Sequence, residues 1–243
     1  MKKLLSAAIV AILSLSVLAI AACDLPGMNK EGNESVEISM EQSKLKMETL
    51  GKTEGYELTI SFTTSEGDSG NLTIGAKGEV IWGSDDEGNG FAVKQADSGI
   101  YTYVYENGEY TFNEKLSEEE EKQYIENYTK AYSEWLYYAN EFNGMLKKGS
   151  DVTVAGRTCH SYTFNMGDLG VLGNIVKDLA PDVNVDYKVC VDVELGITMK
   201  LDVVTAAEGE TNALSCEITS FKTGNAVTAP SLPEPTEEPA GEE

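Results

Sequence analysis

The sequence predicts an α+β fold: a curved antiparallel β-sheet, or half-barrel, with one long and one short helix packed on its concave face. Three observations predict it. Apolar and polar residues alternate through most of the chain, which is the period of half-buried strands. Gly-rich and Asn-Gly turns recur at short intervals, so neighbouring strands are joined as a meander rather than through crossover helices. One long stripe of aromatic residues at steps of three and four interrupts the strands and needs a sheet face to bury against.

Residues 1–22 read as an export leader. Met1-Lys2-Lys3 is positive, and residues 4–22 are apolar and end in small side chains. That run is about long enough to span a bilayer, which makes an uncleaved anchor the alternative. Its end decides: Ile20-Ala21-Ala22-Cys23 resembles the lipobox of bacterial lipoproteins. The resemblance implies a diacylglyceryl group on Cys23, cleavage before it, and residence on the extracytoplasmic face of the cell membrane. Two acyl chains anchor stably where one is marginal, at about 0.8 kcal/mol per buried CH₂. Residues 23–35 hold few apolar side chains and read as a flexible tether. Residues 230–243, PSLPEPTEEPAGEE, read as a disordered acidic tail. A single β-rich domain is expected between them, over 36–229.

Within it, Val36, Ile38 and Met40 alternate, and the weaker Leu45/Met47 pattern permits a short helix. Tyr56, Leu58, Ile60 and Phe62 mark the next strand. Leu72/Ile74, Val80/Trp82 and Phe91/Val93 follow, with turns at 76–78 and 85–90. The clearest hairpin is 100–112, turning at Asn107-Gly108, the pair favoured in a type I′ loop. Ser117-Glu118-Glu119-Glu120 is a capping box opening the long helix, 117–146. Its stripe is Tyr124, Tyr128, Ala131, Trp135, Tyr138 and Phe142, and Gly144, Lys147, Lys148 and Gly149 mark its end. A shorter helix over about 169–180 stops at Pro181 and carries Leu172 and Ile175 on its apolar face. Strands resume at 152–155, 158–165, 186–194, 197–205 and 213–222.

Alternation places Cys159 and Cys190 on the polar faces of their strands. If those strands pair, a Cys159–Cys190 disulfide is geometrically open, and an exported domain meets oxidising conditions. The alternative is two free thiols. Cys216 falls with Leu214 and Ile218 and reads as a buried free thiol.

Charge and composition exclude several functions. Lys+Arg is 18 against Asp+Glu 41, a net charge of -23, which disfavours nucleic acid and anionic lipid head groups as partners. One His cannot build a His-rich metal site, so neither a metal nor a cofactor is expected. Gly67-Asp68-Ser69-Gly70 resembles the nucleophile loop of trypsin-like proteases, but in that family the His precedes the Ser, and His160 follows it here. Asp85-Asp86-Glu87-Gly88-Asn89-Gly90 resembles half a calcium loop, yet position twelve falls on Ala96 and the flanks read as strands. Both read as polar turns. The chain is expected not to be an enzyme.

Aromatic placement is the remaining signal. Tyr101, Tyr103 and Tyr105 line one strand face, and Tyr128, Tyr132 and Trp135 belong to the long helix. Such stripes wall a ligand cavity, form a recognition surface, or fill an ordinary core with an interfacial rim. With Leu172 and Ile175 they are the ligand-cavity candidates.

The C-terminal half resembles the lipoprotein-carrier superfamily, which includes mycobacterial lipid-binding lipoproteins. The resemblance rests on Val154-Ala155-Gly156 leading to Tyr162, on Asp192 with the turn Glu194-Leu195-Gly196, on 197–204, and on the last strand running through Thr223-Gly224. Cys190 stands where the family often has an aromatic. The resemblance implies a half-barrel that binds a hydrophobic ligand such as an acyl chain. The alternative is an envelope interaction or sensory module recognising a protein or peptide, whose partner the sequence does not name.

Overall fold

Ser39-Met40-Glu41-Gln42 is a capping box, and it opens a helix where alternation predicted a strand. In the computed structural model the Ser39 amide donates to Gln42 Oε1 at 3.2 Å and the Gln42 amide to Ser39 Oγ at 3.3 Å. The structure describes residues 36–117, 119–120, 135–142, 146–165, 184–207 and 210–235. The leader, Cys23 and the tether lie outside these residues, as does the expected helix over 169–180. Helix α1 is Met40–Thr53. Its Gly55 takes φ +84°, and the Gly55 amide donates to the Leu50 carbonyl at 2.8 Å, closing the helix with a left-handed glycine cap. Cap chemistry at both ends outweighs three alternating apolar residues, so the 36–40 strand is corrected to a short irregular lead into α1.

The strands are β1 (Tyr56–Thr64), β2 (Ser69–Lys77), β3 (Val80–Asp85), β4 (Gly90–Ala96), β5 (Gly99–Glu106), β6 (Glu109–Lys115), β7 (Lys147–Val154), β8 (Arg157–Asn165), β9 (Asn184–Asp192), β10 (Thr198–Ala207) and β11 (Glu210–Thr223). They are hydrogen-bonded in the order β6-β5-β4-β3-β2-β1-β11-β10-β9-β8-β7, so the sheet is open. The ladders from β2 to β6 and from β7 to β11 are antiparallel between chain neighbours. Lys147, Lys148 and Gly149 begin β7 instead of ending a helix.

The described residues divide between two compact units. Residues 36–45, 61–69, 135–142, 146–165, 184–207 and 210–218 belong to the first, and 46–60, 70–117, 119–120 and 219–235 to the second.

In the first unit, two cross-strand rows form the core face: Tyr162–Val189–Leu201–Cys216 and Phe164–Tyr187–Val203–Leu214. Val36, Tyr138, Ala139 and Leu146 join this cluster. The opposite face carries the polar residues, as alternation places them, and Cys159, Ser161, Cys190 and Asp192 on it are all buried. The register places Lys200 beside Cys190 and Glu217, and Lys200 Nζ pairs with Glu217 at 2.7 Å, so long charged side chains screen that face.

In the second unit the central row is Gly75–Trp82–Ala92–Tyr103–Phe112. Beside it runs Lys77–Val80–Lys94–Tyr101–Lys115. The tail expected to begin at Pro230 does not leave the fold there. Val227 is buried with Trp82, Ala92 and Tyr103, and Ala229 and Leu232 pack against the same cluster. Residues 236–243 lie outside the described residues.

The expected type I′ hairpin forms at Asn107 and Gly108, with φ of 54° and 88°. A second two-residue turn joins β7 to β8 through Ala155 (φ 48°) and Gly156 (φ 77°). Alanine in the left-handed region costs about 1–2 kcal/mol, which asparagine largely avoids. Ala155→Asn is therefore expected to stabilise the protein by about 1 kcal/mol in urea unfolding.

Candidate functional site

The long helix expected from the Ser117 capping box is described only at residues 119–120 and 135–142; residues 121–134 lie outside the described residues. That capping box is present: the Ser117 amide donates to Glu120 Oε2 at 2.9 Å and the Glu120 amide to Ser117 Oγ at 3.3 Å. Residues 135–137 are helical and tighten to a 3₁₀ turn over Tyr138–Phe142. The expected single stripe is corrected here. Leu136, Tyr137, Tyr138, Ala139 and Asn140 are buried in succession, so this segment is enclosed on every side. Tyr137 lies under Lys44 Nζ, 5.5 Å from the ring centroid.

This segment lies against the core face of the first unit. The Tyr138 and Tyr187 hydroxyls are hydrogen-bonded at 2.8 Å, and their ring centroids are 6.1 Å apart. Phe164 packs on Tyr187 at 5.8 Å. The Ala139 amide donates to Thr198 Oγ1 at 3.4 Å. Trp135 packs against the same cluster; its buried Nε1 meets no acceptor at hydrogen-bond geometry among the described residues, and its approach to the Cys216 thiol lowers that pKa against the larger effect of burial.

Asn140 is also unsatisfied, at both of its polar atoms. It is 5 % exposed, and neither Oδ1 nor Nδ2 has a hydrogen-bond partner among the described residues. A buried amide left unpaired costs about 1–3 kcal/mol, so its retention needs a reason. Nothing in the sequence marked it, because at helical spacing it falls away from the apolar stripe.

The predicted ligand-cavity residues are distributed as follows. Trp135 belongs to the first unit. Tyr101, Tyr103 and Tyr105 belong to the second, where Tyr101 and Tyr103 pack in the Trp82 cluster and Tyr105 stacks on Tyr110 at 4.7 Å. Tyr128, Tyr132, Leu172 and Ile175 lie outside the described residues.

Asp192, singled out only as an acidic strand residue, is the hub of the β9–β10 turn. It accepts from Arg157 Nε at 2.5 Å and Nη2 at 3.0 Å, and from the amides of Glu194 at 2.9 Å and Leu195 at 2.7 Å. Arg157 also reaches Glu194 at 3.0 Å. The hydrogen bond from Arg157 to Asp192 raises the guanidinium pKa further. Arg157 is the single arginine among 18 cationic residues, and its planar fork suits a bidentate carboxylate. These contacts build a turn and leave the carboxylate no free oxygen.

The cysteines stand as three free, buried thiols, not as the expected bridge. Cys159 is opposite Asp192 and Cys190 opposite Ser161, a diagonal rather than a facing pair. Burial, then the charge of Asp192, pushes the Cys159 thiol up to about 12; burial takes Cys216 to about 11 and raises Cys190. Burial likewise takes Tyr56 to about 12. The fold thus favours the protonated forms. The stabilisation is complete below the unfolded thiol value of about 8.5 and is lost as pH rises towards the folded values. In a chain starting at residue 24, native thiols should resist a disulfide reagent at pH 8 and react only on unfolding. Unfolding free energy should fall above about pH 9, by about 1.4 kcal/mol per pH unit for each titrating group.

His160 hydrogen-bonds Asp151 at 2.7 Å and stands edge-on to Tyr162. Asp85 Oδ1 accepts from the amides of Glu87 at 3.0 Å and Asn89 at 2.9 Å, tying its own turn. No group of three or more His, Cys, Asp or Glu among the described residues is arranged to hold a metal. No helix among them is long and apolar enough to cross a membrane.

No family model matches the chain, and no curated protein matches it. Solved structures similar to it include MucB in complex with MucA(peri), at 12% identity and TM-score 0.30 over 79% of this chain. The chain spans 57% of that MucB chain. LprF from Mycobacterium bovis is similar at 11% identity and TM-score 0.28, over 80% of this chain and 98% of that one. A LolA superfamily protein from Nitrosomonas europaea is similar at 9% identity and TM-score 0.25, over 79% and 96%.

Proposed function

We propose that this chain is a membrane-tethered, extracytoplasmic binding protein that holds an acyl chain or lipid and carries out no reaction on it. Cys23 is the anchor in this reading, through a diacylglyceryl group, and residues 23–35 hold the domain away from the bilayer. The ligand is seated between residues 135–142 and the aromatic and aliphatic rows of β8 to β11, with the sheet curved as a half-barrel around it. The observation that carries the reading is Asn140, a buried amide whose donors and acceptor have no partner among the described residues. Such a group fits one polar end of a mostly apolar molecule, because apolar pockets orient their ligands with a few placed polar groups. The inert thiols and the structural use of Asp192 and Asp85 accord with binding without chemistry.

Asn140→Leu tests it. Leucine is close in volume and removes the uncompensated amide, so stability should rise by about 1–2 kcal/mol. Binding of a fluorescent long-chain fatty acid should weaken at least tenfold. Unchanged binding would remove Asn140 from the site. A second reading, recognition of a peptide, is favoured by a different surface, the aromatic row of β3 to β6.

A further inference from the structure

We propose that the face of β3 to β6 bearing Trp82, Tyr103 and Phe112 is a recognition surface for an extended, proline-containing acidic peptide, and that residues 228–235 of the chain cover it as a displaceable strap. The site lies in the second unit, and neither the proposal nor its test involves the ligand reading above.

The face has two kinds of row side by side. Trp82, Ala92, Tyr103 and Phe112 form an apolar row, with Tyr103 and Phe112 edge-to-face at 5.9 Å. The adjoining row presents Lys77, Lys94 and Lys115 around Tyr101, with Lys115 Nζ 5.7 Å from the Tyr101 ring centroid. An apolar aromatic strip beside a cationic strip matches a peptide with prolines and small apolar residues followed by carboxylates. Aromatic surfaces of this kind take extended proline-rich chains, whose conformation is already fixed before binding.

The chain's own end has that chemistry. From Pro230 onward it reads PSLPEPTEEPAGEE. Residues 227–235 form neither helix nor strand, and Ala229 and Leu232 pack on the aromatic cluster. The strap has a fixed root and a loose remainder. At the root, Val227 is 2 % exposed, and Lys77 Nζ donates to the carbonyls of Val227 at 2.6 Å and Gly224 at 3.2 Å. Beyond it, residues 228–235 make no hydrogen bond among the described residues, and Ala229 and Leu232 are only half-buried. The Tyr103 hydroxyl beneath is buried without a partner among the described residues, a position open to a carbonyl of an incoming chain.

The test uses the full chain and a labelled synthetic peptide of residues 228–240, followed by fluorescence anisotropy. In the unaltered chain the strap competes at an effective concentration of about millimolar, so the peptide binds weakly. Leu232→Asp loosens the strap and leaves Val227 and Lys77 in place, and peptide affinity should rise at least tenfold. Equal affinity for the two chains, or none for either, overturns the proposal. A chain ending at Thr228, which keeps Val227 and Lys77, decides the matter if the variant does not fold. It should bind the peptide at least tenfold more tightly than the unaltered chain; equal affinity overturns the proposal.

Discussion

Asp192→Ala is expected to cost about 3–5 kcal/mol, the range for removing one partner of a buried ion pair. The side chain of Asp192 is 1 % exposed and takes four hydrogen bonds, two from Arg157 and two from the amides of the following turn. Alanine leaves both amides without their acceptor and takes two of the guanidinium's contacts, leaving it the more exposed Glu194. Against a typical total stability of about 5–15 kcal/mol this is a large share. Asp192→Asn keeps an acceptor for the amides but loses the charge, so a smaller cost of about 2–3 kcal/mol is expected. Urea unfolding at pH 7 measures both. A cost below about 1 kcal/mol for the alanine variant would show that the turn closes without its carboxylate.

Gly75→Val is expected to cost about 3–5 kcal/mol, comparable with losing a buried aromatic side chain. A Cβ built on Gly75 meets Trp82 Cζ2 at 2.2 Å and Cε2 at 2.3 Å. The indole lies across the glycine on the next strand, and Trp82 is packed with Ala92, Tyr103 and Val227. Any side chain at 75 therefore displaces the ring, and with it the seat of Val227. Gly67 is the contrast: it has φ +87° and open space around it, so Gly67→Ala should cost only about 1 kcal/mol. Trp82 emission should shift to the red in Gly75→Val and stay unchanged in Gly67→Ala. Equal stability of the two variants would contradict the packing described.

Much of this was legible because strands write themselves with period two. β1 to β6 and β8 to β11 lie where alternation and turns put them, and Asn107-Gly108 forms the turn its residues demand. The misses have local causes. Val36, Ile38 and Met40 alternate like a strand, but Ser39 and Gln42 cap a helix, and cap geometry was the stronger signal. Cys159 and Cys190 do sit on the face opposite the core rows; that face is buried because Arg157, Lys200 and Glu217 arrive from neighbouring strands, which period alone does not show. The Tyr101 and Tyr103 stripe stayed ambiguous because the chain that covers it, Val227 to Leu232, comes from more than a hundred residues later. Asn140 was invisible because a 3₁₀ turn, not an α-helix, sets its direction. Arg157 could have been read as a site of bidentate pairing from being the single arginine in the chain.

Native mass spectrometry tests the binding account most directly. The chain from residue 24 onward, purified from a membrane-containing host, should carry an adduct of lipid or fatty-acid mass that organic extraction removes. Re-addition of a long-chain fatty acid should restore a one-to-one complex, and Asn140→Leu should reduce it. A bare mass before extraction and no shift on adding lipids or fatty acids would contradict the account.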